Sequence, residues 1–295
     1  MIDMYTADYH GDDFALSKNN SQRMLELIEA GKMDSISIIS NMGCFSECMS
    51  LLRDRWGSLE TKPLVSVHIN LIDGLKLSKQ TTSDAIFNNS WGYYLLHSLI
   101  PGKKRNELKA EIREEIKAQI LAVLDELPED LPLRLDSHVH THMIPLVFDA
   151  MMEAVAELGL TDKLAFVRNS KEPLWVFLKS KEYRKTFPIV NIVKNVILNI
   201  LSLRVSKKLK AAGLPKAMLW GLIMSGNMDN ERVKKLSDSV LHEASKKDSY
   251  IEILCHPGIV TDSEIRPEYG PKDLSFITSK NRDVEYDMLA ERSPQ

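Results

Sequence analysis

Short apolar runs rich in β-branched residues alternate with longer amphipathic stretches along most of this chain, and that alternation most narrows the folds open to it. Ser35–Ser40 (SISIIS) and Leu64–Leu71 (LVSVHINL) read as strands near period two. Leu133–His138, Leu164–Arg168 and Tyr250–His256 are further strand candidates. Between them lie helix patterns. Ser17 is placed to cap a helix carrying Met24, Leu25, Ile28 and Ala30, with Gly31 as its stop. From Asn106 to Leu127, Leu108, Ile112, Ile116, Ile120, Val123 and Leu127 share one face and the charges fall largely elsewhere, which predicts an outer, solvated helix. Strands alternating with helices in this way favour an α/β fold with a parallel sheet, either doubly wound or closed into a barrel.

No internal repeat, low-complexity tract or convincing boundary divides the 295 residues, so residues 1–295 are expected to form a single domain. An insertion is expected around 81–104, where Trp91, Tyr93, Tyr94 and His97 sit among glycines and prolines without clean periodicity. Such a loop can line a binding site or pack on the surface. The 38 Lys+Arg against 41 Asp+Glu give a net charge of −3, so nothing in the charge balance points to nucleic acid. Cys44, Cys48 and Cys255 are odd in number, which fits a reducing compartment. The first ten residues lack a secretory pattern, so a cytoplasmic location is expected. Pro188–Leu203 is the most apolar stretch, but Asn191, Lys194, Asn195 and Asn199 interrupt it. A core or subunit-contact helix is expected there rather than a membrane partner. No GxxxxGK[ST] loop is present, which argues against nucleotide use.

Four segments gather residues that bind metals or move protons. In Gly11-Asp12-Asp13-Phe14, adjacent acids at a strand end point to opposite sides, inviting one role on a cation and one on a proton. His68 lies inside an apolar strand and must find a partner or a cavity. In Asp136-Ser137-His138-Val139-His140-Thr141-His142, an extended chain would set Asp136, His138, His140 and His142 on one face. Only one or two of these could reach a single metal. His256 ends the last apolar run, where α/β enzymes place catalytic groups.

Taken in order, GDDFALS at 11–17, EAGKMDSISIISNM at 29–42, HINL at 68–71, DSHVHTHMIP at 136–145 and GLIMSGNM through EILCHPG at 221–258 resemble the YdjC/ChbG-like carbohydrate deacetylase family. The resemblance implies a distorted or incomplete (β/α) barrel related to polysaccharide deacetylases, holding one divalent metal ion, magnesium or zinc. It implies Asp13, His68 and His138 as metal ligands, Asp12 as general base and His256 as proton donor or oxyanion stabiliser. Arg168 is our own addition, as partner of Asp12 or of the substrate. The family usually carries Asn-Ala before the paired acids and Gly after the Phe. His10-Gly11 and Ala15 stand here instead, so the floor of the pocket is expected to differ.

The implied reaction is removal of N-acetyl groups from amino sugars or short chitooligosaccharide-like substrates by a metal-activated water. An amide is a poor electrophile, and a metal that polarises its carbonyl and acidifies bound water suits it. The expected partner is a small acetylated sugar, with a homodimer left open. Two other readings compete. His138-x-His140 could serve as the paired ligands of another amidohydrolase-type metal enzyme, or the chain could bind metal or sugar without turnover.

Overall fold

The structure is a computed structural model that describes residues 7–78, 89–271 and 274–293. Seven parallel strands form one sheet: β1 (Ala7–Phe14), β2 (Ser35–Ile38), β3 (Leu64–Ile69), β4 (Leu133–Ser137), β5 (Leu164–Val167), β6 (Ala217–Trp220) and β7 (Tyr250–Cys255). Their spatial order is β5-β4-β3-β2-β1-β7-β6, and the sheet curls into a half-barrel. The open edges approach where the Leu219 N–H of β6 donates to the Lys171 carbonyl, just beyond β5 (2.9 Å). Most strand residues are buried, as expected of a parallel sheet covered by helices.

The connections carry the helices. After β1, α1 (Lys18–Glu29) is capped by Ser17, which accepts the Asn20 N–H, and α2 (Phe45–Trp56) follows β2. Residues 81–88 of the expected insertion lie outside the described residues. From Trp91 onward the insertion is not a loop. Ser90 caps α3 (Trp91–Leu99), and the buried Tyr94 hydroxyl donates to the Leu71 carbonyl (2.7 Å). The helix was hidden because Gly92 and the flanking Pro101-Gly102 mask a short apolar face. The long helix α4 (Lys103–Leu124) begins three residues earlier than its periodicity suggested, and it buries Glu115 and Gln119 beside its apolar stripe. Those two satisfy irregular backbone: Glu115 accepts the Leu77 and Ser78 N–H groups, and Gln119 brackets Asn70.

Beyond β4, α5 (Pro145–Glu157) packs on α4. Next come α6 (Leu174–Lys179), α7 (Ile189–Ala211), α8 (Asn230–Lys246), α9 (Leu274–Ile277) and α10 (Asn281–Glu291). The helix α7 departs from expectation. It is long and apolar enough, by length and composition alone, to cross a membrane, yet its buried residues include Asn195 and Ser202 while Ile189, Val193, Ile200 and Leu203 are exposed. The reason is Glu172, wholly buried at the barrel seam. Asn195 Nδ2 donates to its carboxylate (2.8 Å) and Asn199 Nδ2 to its carbonyl (2.8 Å), so the amide face must turn inward.

The same Glu172 carboxylate accepts the N–H groups of Gly221, Leu222 and Ile223 at 2.7–3.0 Å, and burial pushes its pKa up to about 7 against those donors. Gly221 has φ 136°, and an added Cβ would lie 2.4 Å from the Leu254 carbonyl oxygen. Gly221→Ala should therefore cost about 3 kcal/mol in chemical denaturation. Gly57→Ala, at an open helix end with φ −64°, should be within about 0.5 kcal/mol of neutral. Equal effects would show that the close approach at Gly221 carries no weight.

Candidate active site

Where β1 ends, its register against β2 shifts between Gly11 and Phe14, and Asp13 and Ala15 take φ 71° and 69°. Left-handed backbone is uncommon outside glycine, Asn and Asp. Here it turns adjacent acids in different directions. It also places Ala15 in the conformation that suits the glycine usual at this point of the motif. Asp13 Oδ1 faces His138 Nδ1 at 3.0 Å and His68 Nε2 at 3.5 Å. Its Oδ2 accepts from Arg282 Nη2 at 3.1 Å. Burial raises the Asp13 pKa, but His138, His68 and Arg282 outweigh it and hold the carboxyl well below the usual range.

His68 and Asp136 are register partners on β3 and β4, and His68 Nδ1 lies 2.6 Å from Asp136 Oδ1. That contact orients the ring so that Nε2, buried and without a hydrogen-bond partner among the described residues, points toward Asp13. Burial disfavours a charged His68, yet Asp12, Asp136 and Asp13 push its pKa to about 10, a sign of surplus negative charge at this point. Asp13, His68 and His138 each offer one ligand atom, and these lie within 4.8 Å of one another. One carboxylate and two imidazoles, with one nitrogen otherwise unsatisfied, fit a divalent cation with positions left open.

The histidine-rich segment is not extended. Strand β4 stops at Ser137, and His138–Met143 forms a tight 3-10 turn with Val139 (φ 46°) and His140 (φ 59°) left-handed. The shared face expected for Asp136, His138, His140 and His142 is thereby lost, because the turn fans the rings apart. His138 faces Asp13, His140 Nδ1 meets Ser170 Oγ (3.0 Å), and His142 lies between Ser137 Oγ and the Arg168 carbonyl. Burial depresses the pKa of both outer rings, His142 to about 4, so they pack as neutral imidazoles.

Arg168 is fully buried and grips Asp12 with two bonds of 2.9 Å. Its Nη2 lies 3.0 Å from Asp136 Oδ2, and its Nε donates to Glu252 (3.1 Å). His10 is also buried here, its ring nitrogens 2.6 Å from Ser35 and Ser37 and its Nε2 3.1 Å from Asp12 Oδ1. Burial would raise Asp12, but Arg168, His68 and His10 hold it well below the usual carboxylate range. Asp12 is thus an ionised acceptor beside the three clustered donors.

His256 lies just past β7 and lines the same cleft as Asp12. Its N–H donates to Glu285 Oε2 (2.5 Å), and its ring Nδ1 lies 3.4 Å from the same oxygen. Glu285 Oε1 accepts the Gly226 N–H, and Arg282, one turn earlier on α10, reaches Asp13. Asp12, His138, His140, Leu222, Asn227 and His256 line one cleft of about 330 Å³. Asp12, Asp13, His68, His138 and Arg168 thus meet in one cluster of contacts, and His256 shares the cleft lining with Asp12 and His138. Glu285, Arg282, Glu252 and His10 were missed. The first two stand in a charge-rich C-terminal stretch, and only the fold turns them inward.

The family model described as YdjC-like protein matches residues 9–295. Among solved structures, a protein from Enterococcus faecalis V583 whose description proposes cellobiose-phosphate cleavage superposes with a TM-score of 0.61. It is 17% identical, and the match covers 97% of this chain and 90% of that one. At that identity the likeness is one of fold. No curated protein matches the chain.

Titration of the metal-free chain with zinc in a calorimeter should give one tight site, and His68→Ala should abolish it while preserving the folded circular-dichroism spectrum. Undiminished uptake by His68→Ala would remove His68 from the ligand set.

Proposed function

This chain belongs to the YdjC-like family, and on that premise we propose that it is a carbohydrate-processing hydrolase that removes N-acetyl groups from amino sugars or short oligosaccharides of the chitooligosaccharide type. The observation that carries this reading is the placement of Asp13, His68 and His138 around one point. The ionised Asp12 lies beside them and His256 lines the same cleft. One divalent cation held by Asp13, His68 and His138 would supply polarisation of the acyl carbonyl and acidification of the attacking water.

The chain's own groups supply the rest. Asp12 takes the proton of the water as its oxygen bonds to the acyl carbon. Its low pKa makes it a base through position rather than strength, and the Arg168 fork keeps its carboxylate aimed. As the C–N bond breaks, the departing amine needs a proton, and His256 stands at the cleft to give one. Glu285 Oε2 lies 3.4 Å from Nδ1, on the side of the ring away from Nε2, to which the donating role is assigned. Asn191, Asn227, Asn281 and Ser225 line the cleft with neutral polar groups that suit sugar hydroxyls. His140, engaged with Ser170, is outside the ligand group, which favours this set over a His138–His140 pair.

Metal-loaded protein should release acetate from N-acetylglucosamine oligomers. Asp12→Asn should keep metal uptake and lose turnover by about 10²–10⁴. Full activity in Asp12→Asn would reassign the base. Glu285→Gln should lower kcat by at least about tenfold with KM and metal affinity unchanged. A matching loss of metal affinity would mean that Glu285 merely supports the fold.

A further inference from the structure

We infer that the substrate of this cleft carries an aliphatic chain, and that the chain lies in an apolar groove that opens from the cleft between α3 and α7. The inference rests on the deacylase reading above and adds the chemical class of the group attached to the sugar. The groove has a volume of about 560 Å³, and Ile72, Trp91, Val139, Val193, Ile197 and Leu198 line it. It adjoins the catalytic cleft, and Val139, Val190 and Lys194 line both.

Val139 is the junction. It follows the proposed ligand His138 directly, so a substituent on a sugar bound at the cluster passes over its side chain to enter the groove. It does so from a left-handed backbone, a genuine outlier for a β-branched residue. The other wall belongs to α7. Because Glu172 draws the amide face of that helix inward, Val190 and Val193 are left facing outward, 70% and 52% exposed. An oligosaccharide offers hydroxyls and would leave such walls wet. A hydrocarbon chain removes them from water, and each methylene taken up should tighten binding about fourfold. The groove's lining contrasts with the amides and imidazoles of the cleft, so one pocket suits the sugar and the other its tail.

Two substrate series test this below micelle-forming concentrations. One varies the aglycone from methyl through butyl to octyl on N-acetylglucosamine, and the other lengthens the N-acyl group from acetyl to octanoyl on glucosamine. KM should fall about fourfold per buried methylene in one series. The series that responds identifies the chain as aglycone or acyl group. Val193→Asp should flatten the response and leave kcat on the methyl glycoside unchanged. Calorimetry with alkyl β-glucosides, which have no amide to cleave, reads the groove separately from the chemistry. Chain-dependent affinity that Val193→Asp abolishes, without acyl cleavage on any substrate, would sink the deacylase reading and leave the groove standing. Acyl release with KM and affinity flat in chain length would overturn the groove. So would a dimer that Val193→Asp dissociates with no chain-length response, because a second copy would then occupy that face.

Discussion

The interior of this half-barrel depends on one guanidinium. Arg168, without exposed surface, is shared among Asp12, Asp136 and Glu252, carboxylates from β1, β4 and β7. Carboxylates cannot be buried together unaided, since the effective penalty is several kcal/mol for each uncompensated ion. Their attraction raises Arg168 well above its ordinary pKa despite burial. The fork geometry also sets directions, because two parallel bonds to Asp12 allow that carboxylate only one orientation. With Arg168 in place the strand ends can carry acids toward the cleft.

The compensation is incomplete, and that is where function enters. Around the cleft floor, Asp12, Asp13, Asp136 and Glu252 face the guanidiniums of Arg168 and Arg282. Asp12, Asp136 and Asp13 raise His68 to about 10, and its Nε2 is aimed at Asp13. A divalent cation is the species that this surplus suits. Around the core, buried acids hold backbone rather than charge: Glu172 collects three N–H groups at the seam, and Glu285 ties the Gly226 loop to His256. Glu172 and Glu285 therefore fix backbone around the cleft without lining it.

The sequence showed the alternation of strands and helices and the residues of the cluster plainly, because both rest on local signals. Apolar runs such as SISIIS have few alternatives, and a histidine within LVSVHINL is conspicuous. What stayed hidden depends on tertiary context. The turn at Val139 and His140 breaks the expected strand face, and β-branched residues give no hint of left-handed backbone. Strand β6 is only AMLW, too short to stand out. The apolar face of α7 resembled a core stripe, but a single buried Glu172 rotates it toward solvent. Arg282 and Glu285 lie in a charged stretch whose inward orientation comes from Asp13 and His256, far away along the chain.

The central claim is that Asp13, His68 and His138 hold one cation beside Asp12. Anomalous diffraction from crystals grown with zinc tests it most directly. The account predicts a single strong peak bonded to Asp13, His68 and His138, with Asp12 adjacent and still gripped by Arg168. A peak shared by His138 and His140 that leaves Asp13 uncoordinated would contradict it.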